Sequence, residues 1–195
     1  MLCGPTPYPP AGGQAGGTPD TMASLHRRRR TMPFQPRPEL IKALQSIAED
    51  LFKATQPGRV TVRVDTTNDP DYPVLAEARA PGVSSITGGM SLAGYKPIDI
   101  HQASTLVFLR DRRERIVQSD VRVDPPQIPE LLDYYGCLSQ ILIPVEWQGR
   151  FVGVVSVHGV EPHTWTEHDV AATEDATKRV ERELEGAAWF DITRQ

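Results

Sequence analysis

The sequence predicts a domain of the α+β class, built in the order helix, strands, helix, strands, helix. Three observations carry this prediction. Apolar residues recur at helical spacing over residues 39–54, two strongly apolar segments within residues 140–158 are joined by a tight loop, and a capping signature opens a last helix at Thr166. The chain of 195 residues is long enough for one domain of ordinary size.

The first half of the chain begins with an amphipathic helix, predicted over residues 39–54. Residues 59–65 alternate valine with polar side chains, which predicts a strand with one buried face. A weaker strand is expected over residues 74–80, and a long connection rich in glycine and serine follows from 81 to 94. The apolar stripe of the helix consists of Leu40, Leu44, Ile47 and Leu51.

The middle of the chain is predicted to contain a short strand with one helix before it and one helix after it. Asp99 is a candidate N-cap for a helix from about residue 100 to residue 113. A strand is expected over residues 115–118, and Pro129 is placed to open a short helix that ends at Tyr135.

The last part of the chain predicts a β-hairpin and a closing helix. The strands expected over residues 140–146 and 151–158 are separated by a loop of four residues, so they should pair with each other. Thr166 and Asp169 have the spacing of a capping box, and the helix that they open is expected to run to about Leu184.

The two ends of the chain are expected to lie outside the folded domain. Residues 1–38 are rich in proline and glycine and hold almost no branched apolar residues, which predicts a disordered tail. The domain should cover residues 39–185, and residues 186–195 should form a short C-terminal tail. The expected location is cytoplasmic. The arginine run at 27–30 leaves mitochondrial targeting as an alternative, although a proline-rich segment makes a poor amphipathic targeting helix.

Charge and composition argue against several classes of function. The net charge of −4 makes the chain acidic outside its arginine-rich beginning, so the domain should repel nucleic acids. No segment approaches the ~20 consecutive apolar residues that cross a bilayer. Two cysteines are too few for a secreted disulfide framework and favour a reducing compartment. We therefore expect neither a nucleic-acid partner nor a membrane partner.

The segment from Tyr134 to Val170 resembles the end of a GAF domain. The family pattern there is a glycine, a serine, an apolar strand ending in proline, a turn, a second strand with an early glycine, and a helix start with an aromatic residue and an acid. The matching residues are, in order, Gly136, Ser139, Pro144, Gly149, Gly153, Trp165 and Asp169. Upstream, the predicted helix at 39–54 and the apolar segment leading to Asp120 fit the same family.

This resemblance implies an antiparallel sheet of about six strands, with the N- and C-terminal helices on one face and a ligand pocket on the other. It also implies a small-molecule ligand and a homodimer formed through the terminal helices. Members of the family bind cyclic nucleotides, haem, bilins and amino-acid derivatives. The resemblance therefore leaves the ligand and any cofactor unidentified.

Strand alternation separates the candidate ligand-binding residues of the hairpin from its core. Residues Ile141 and Ile143 belong to a wholly aliphatic face, and the opposite face carries the candidates Gln140, Ser156 and His158. Four further candidates come from their position in the family pattern: Asp120, Tyr134, Tyr135 and Cys137. Each of these four has a structural alternative, which is packing for the tyrosines, a buried thiol for the cysteine and a turn cap for the aspartate.

The sequence predicts no catalytic residue and no metal site. His158, His163 and His168 recur every five residues and fall on different predicted elements, which disfavours a shared zinc ion. The carboxylates and additional cysteines of the free methionine-(R)-sulfoxide reductases are missing, so that activity is not expected. The residue set of cyclic-nucleotide-binding members is also missing, and Cys137 is not followed by the histidine typical of bilin attachment.

The sequence thus favours a small-molecule-binding sensory or regulatory domain that acts through dimerisation or a protein partner, without its own output domain. Two alternatives stay open at this stage. One is an enzyme or accessory subunit of small-molecule metabolism in which Cys137 or His158 is chemically active. The other is a structural dimerisation module whose pocket is filled by its own side chains.

Overall fold

A computed structural model describes residues 37–65, 73–86, 104–126 and 136–187 of the chain. All of these residues belong to one unit, Pro33–Gln195. Most of the two predicted tails, the candidate cap Asp99 and the short helix predicted after Pro129 lie outside the described residues.

The described residues form three helices and five strands in the predicted order. The helices are α1 (Pro38–Thr55), α2 (Ser104–Arg112) and α3 (Glu167–Gly186). The strands are β1 (Arg59–Val64), β2 (Val74–Arg79), β3 (Ile116–Gln118), β4 (Ser139–Trp147) and β5 (Arg150–Gly159).

The strands form one sheet in the order β2-β1-β5-β4-β3. Every neighbouring pair is antiparallel. The predicted α+β class and antiparallel sheet are confirmed, with five strands in the described ranges where about six were expected. This order gives β1 a partner strand on each side, so β1 does not lie at the rim of the sheet.

Helices α1 and α3 pack together on one face of the sheet, which we call the helix face. The capping box of α3 is formed as predicted, because the Asp169 amide donates to Thr166 Oγ1 at 3.2 Å and the Thr166 amide donates to Asp169 Oδ2 at 2.8 Å. The main core lies beneath the two helices. It includes Leu44, Ile47, Val60, Val62, Ile141, Ile143, Val155, Val157, Val180 and Leu184.

The hairpin of β4 and β5 closes in a two-residue turn at Gln148 and Gly149, with φ angles of 50° and 72°. Two consecutive left-handed residues are the geometry of a type I′ turn, which suits the twist of paired strands. Further along β5, a Cβ at Gly153 would lie 2.1 Å from the Arg63 carbonyl oxygen. Glycine at this position therefore lets β1 and β5 approach each other.

The second face of the sheet lies opposite α1 and α3, and we call it the open face. Helix α2 covers part of it through a small apolar cluster formed by Leu109, Ile116, Leu142 and Val154. The helix ends at Arg112, and Arg113 adopts a left-handed φ of 59°. The predicted end at residue 113 is thus one residue too long, and the predicted start falls among residues that are not described.

Candidate functional site

A line of polar side chains crosses the open face from one edge of the sheet to the other. The strand register aligns these residues one beside the next in four adjacent pairs. Because Val60 and Val62 belong to the core under the helices, the neighbouring residues of β1 point to the open face. We call this line the polar row; it consists of Gln118, Gln140, His158, Arg59 and Arg79.

Four of the five residues of the polar row are buried, and only Arg79 on the edge strand is exposed. The burial of Arg59 is the most unusual, because its side chain is only 2% exposed. Arginine is rarely buried to this extent unless its charge is compensated or used. The row therefore departs from what a simple core would contain.

The two glutamines at one end of the row are joined to each other and to the following loop. Gln140 Nε2 donates to Gln118 Oε1 at 2.5 Å, and Gln118 Nε2 donates to the carbonyl oxygens of Asp124 and Pro126 at 2.7 and 2.9 Å. From the helix side, Trp165 Nε1 donates to the backbone oxygen of Gln118 at 3.1 Å. These contacts fix the orientation of both amides.

The centre of the row holds a neutral histidine beside a buried cation. Burial lowers the pKa of His158 well below its usual value of 6.5, and the positive charges of Arg59 and then Arg63 lower it further. The imidazole is therefore neutral near pH 7, with one nitrogen as a donor and the other as an acceptor. Both arginines therefore oppose protonation of His158.

A second line of residues lies beside the polar row on the open face. Here the register pairs Thr61 with Ser156, and Ser156 with Leu142. The Thr61 side chain is 0% exposed, and its hydroxyl has no hydrogen-bond partner among the described residues. Two residues further along β1, the Arg63 side chain is 5% exposed. The open face of β1 thus presents two cations with a hydroxyl between them.

Residues 83–86 are held across the β2 end of the open face by polar contacts, and we call this segment the strap. Arg79 Nη1 donates to the Val83 carbonyl oxygen at 2.6 Å, and Arg59 Nη1 donates to that of Ser84 at 3.1 Å. The Glu77 carboxylate accepts hydrogen bonds from the Ser85 hydroxyl at 2.5 Å and the Ile86 amide at 2.9 Å. The strap lines a cavity of about 550 Å³ together with Arg59 and Val160.

The structure brings three of the predicted ligand-binding residues together on the open face. Gln140 pairs with His158 across β4 and β5, and Ser156 lies next to them on β5; all three are buried. Tyr134 and Tyr135 lie outside the described residues. The assignment of these residues to a ligand stays a prediction.

The other two predicted residues are engaged in local structure. The Cys137 thiol contacts the Ser139 carbonyl oxygen at 3.1 Å, and burial raises its pKa to about 12 despite the nearby charge of Arg59. Asp120 accepts hydrogen bonds from the amide and Nε of Arg122 at 3.0 and 2.8 Å, which lowers its pKa to about 2. Cys137 is thus held as a thiol, and Asp120 caps the turn that follows β3.

Two further features of the described residues concern metal and membrane binding. Within the four described ranges, no group of three His, Cys, Asp or Glu side chains could hold a metal ion. The helices in those same ranges include none that is both long enough and apolar enough to cross a bilayer.

Sequence reasoning missed the arginines and the threonine of β1. The alternation in residues 59–64 is visible in the sequence, but it does not tell whether the polar positions face solvent or a covered site. The aliphatic positions of β1 and β5 offer the missing signal. Once Val60 and Val62 are aligned with Val155 and Val157, the polar residues of β1 must share a face with Ser156.

Comparison with a family model matches residues 39–184 to the GAF domain. No curated protein sequence matches the chain. The matched segment contains every element described above except the first residue of α1 and the last two of α3.

Several solved structures have a similar fold. The phycoerythrobilin-bound GAF domain of a cyanobacterial phytochrome has a TM-score of 0.62 and 17% identity, covering 77% of this chain and 87% of that one. The blue-light-absorbing form of the PixJ GAF domain of Thermosynechococcus elongatus has a TM-score of 0.57 and 15% identity, covering 80% and 95%. The chromophore-binding domain of a bacteriophytochrome from R. palustris has a TM-score of 0.60 and 16% identity, covering 76% and 56%. At these identities the likeness shows the fold alone.

Proposed function

The chain belongs to the GAF domain family, and on that premise we propose that it is a sensory or regulatory domain that binds a small molecule on its open face. The ligand would lie against the polar row, on the side of the sheet opposite α1 and α3. The candidate contacts are Gln140, Ser156 and His158, together with Arg59 and Thr61 of β1. A cytoplasmic location is part of the proposal, and the low cysteine content supports it.

The observation that carries this proposal is the burial of polar side chains on the open face. Burying a hydroxyl or a charge costs free energy unless the group finds a partner, so a purely structural core is built more cheaply from apolar residues. A ligand site has the opposite requirement, because a few fixed polar groups must be kept ready to orient the ligand. The buried Thr61 hydroxyl, which has no partner among the described residues, fits the second case.

The solved neighbours support a small-molecule ligand without identifying it. Two of them are described as GAF domains bound to phycoerythrobilin or phycocyanobilin. In this chain the residue after Cys137 is Leu138 rather than histidine, and the pKa of about 12 keeps the thiol protonated. We therefore propose a ligand that is bound without a covalent bond to Cys137.

The signal would leave the domain through α1 and α3. These helices contact each other, and Arg179 on α3 donates to Asp50 on α1 at 2.9 Å. Because both helices pack directly on the sheet, a change on the open face can reach them through β1 and β5. We propose that they form a homodimer, which light scattering during gel filtration would detect, or that they bind a protein partner.

The first test is native mass spectrometry of the protein purified from its own host, followed by a thermal-shift screen of metabolites. A retained mass, or a melting temperature that rises with ligand concentration, would support the proposal. The Thr61→Val variant should weaken the response, and Thr173→Val, which alters a buried hydroxyl on the helix face, should not. A bare protein with no response across the screen would contradict ligand binding and favour a structural dimerisation module.

A further inference from the structure

We propose that the ligand presents an anionic oxygen group, a carboxylate or a phosphate, to a subsite formed by Arg59, Arg63 and the Thr61 hydroxyl beside His158. This inference rests on the proposed function, because it names the chemical class of the ligand at the same site. It follows from four features of the described residues.

The first feature is the position of the two arginines. Arg59 and Arg63 lie on the same face of one strand, about 13 Å apart along the backbone, with Thr61 midway between them. Neither is at the edge of the sheet, since β1 pairs with β2 on one side and β5 on the other. Their long side chains share the open face and are only 2% and 5% exposed.

The second feature is the common target of their charges. Both guanidinium groups act on His158, the residue of β5 that pairs with Arg59 of β1, and Arg59 also acts on Cys137. Although Arg63 starts four residues further along β1, its charge is felt at the polar row. The two cations therefore act on one region of the open face, and an anionic oxygen bound there would be attracted by both.

The third feature is the Thr61 hydroxyl between the arginines. A buried hydroxyl without a partner among the described residues carries a desolvation cost that a ligand acceptor would remove. Carboxylate and phosphate oxygens accept several hydrogen bonds at once, so one group can take donors from a guanidinium and a hydroxyl together. A neutral ligand with a single carbonyl would satisfy fewer of them.

The fourth feature is the space beside Arg59. Arg59 is the residue of the subsite that lines the cavity of about 550 Å³, and it donates to the Ser84 carbonyl oxygen of the strap at 3.1 Å. Cavities of roughly 300–1,000 Å³ are the usual size for small-molecule sites. A charged oxygen is a stronger acceptor than the neutral carbonyl of Ser84, so a ligand anion can compete for Arg59.

The experiment uses the full chain and a panel of metabolite carboxylates and phosphate monoesters, each paired with its neutral amide or alcohol. Thermal shift identifies the compounds that bind, and calorimetry measures their affinities. We expect the anions to bind about tenfold or more tightly than their neutral counterparts. Whether the binding anions are carboxylates or phosphates then identifies the source of the anionic group.

Substitutions of single arginines test which residues bind the anion. Arg63→Gln should weaken binding of the anions about tenfold to hundredfold and leave the neutral counterparts nearly unchanged. Arg112→Gln is the matched control, because it removes the same charge from an exposed position on α2. Arg59→Lys keeps the charge and should retain binding better than Arg59→Gln, which provides a second comparison if either neutral substitution impairs folding.

The outcomes separate this inference from the proposal on which it rests. Neutral compounds that bind as tightly as their anions would overturn the anionic subsite and leave a small-molecule-binding domain. The anionic subsite is also overturned if Arg63→Gln and Arg112→Gln bind anions equally well. Failure of every compound, together with no retained mass in native mass spectrometry, would overturn both.

Discussion

Replacing Thr61 with valine should stabilise the ligand-free protein and weaken its ligand complex. Valine has nearly the shape of threonine and is also β-branched, so it suits the same position in β1. The substitution removes only the hydroxyl, which is fully buried and has no partner among the described residues. Loss of the hydroxyl should therefore raise the stability of the ligand-free protein and lower its affinity for the ligand.

The size of each effect follows from the cost of burying a hydroxyl. A buried polar group without a hydrogen bond costs about 1–3 kcal/mol by protein mutational data, so Thr61→Val should raise the free energy of unfolding by about 1 kcal/mol or more. For a domain of this size each kcal/mol raises the melting temperature by roughly 2–4 °C. In the complex, a hydrogen bond to a charged acceptor contributes about 1.5–3 kcal/mol, and its loss weakens binding about tenfold or more.

Urea unfolding of the ligand-free protein and calorimetry of a binding anion would measure the two quantities. Thr173→Val is the control, because the Thr173 hydroxyl is equally buried but donates to the Asp169 carbonyl oxygen at 2.7 Å. That variant should be no more stable than the wild type. The reasoning is refuted if Thr61→Val is destabilised, since its hydroxyl would then be satisfied in the free protein, or if its affinity for the anion is unchanged.

Three further predictions concern His158, Cys137 and Gln45. Below about pH 6.5 the unfolded chain binds a proton at His158 that the native protein does not, so this residue lowers the free energy of unfolding by up to about 1.4 kcal/mol per pH unit as the pH falls. The His158→Gln variant should therefore show a smaller difference between the free energies of unfolding that urea measures at about pH 7.5 and at about pH 5.5. In a Cys3→Ala protein, Cys137 should resist thiol reagents at about pH 8 and react after unfolding, as measured by the labelled mass, because burial raises its pKa to about 12. Gln45→Ala should lower the free energy of unfolding by about 1–2 kcal/mol in urea, because the Gln45 amide donates to the Glu77 carbonyl oxygen at 2.9 Å and accepts from the Glu77 amide at 3.2 Å on the edge strand.

The elements that could be predicted from the sequence are those specified by nearby residues. The helix predicted over residues 39–54 is observed over Pro38–Thr55 because its apolar stripe and its proline at the first turn are local signals. The hairpin follows from two apolar segments around Gln148 and Gly149, and the capping box of α3 from two residues three apart. None of these depends on knowing which strands are neighbours.

The candidate site could be predicted only where it lies within one hairpin. Alternation in β4 and β5 placed Gln140, Ser156 and His158 on the face opposite the aliphatic residues, and the structure places them there. The pairing of β1 with β5 joins segments that are far apart in sequence. No local pattern reveals that pairing, so the contribution of Arg59 and Thr61 could not be read from residues 59–64 alone.

Polar residues that alternate with apolar ones lie in different surroundings on an edge strand and on β1, which has a partner strand on each side. On an edge strand a polar face is ordinary, because side chains reach solvent around the rim, as Arg79 does on β2. On β1, between two partner strands, Arg59 and Arg63 are nearly fully buried, and the Thr61 hydroxyl between them is buried without a partner among the described residues. Valine at position 61 would keep the shape of the side chain and remove the cost of burying that hydroxyl, so Thr61 is not explained by stability. Residues that lower stability without serving the fold are expected at functional sites, which supports placing the ligand at this part of β1 rather than elsewhere on the open face.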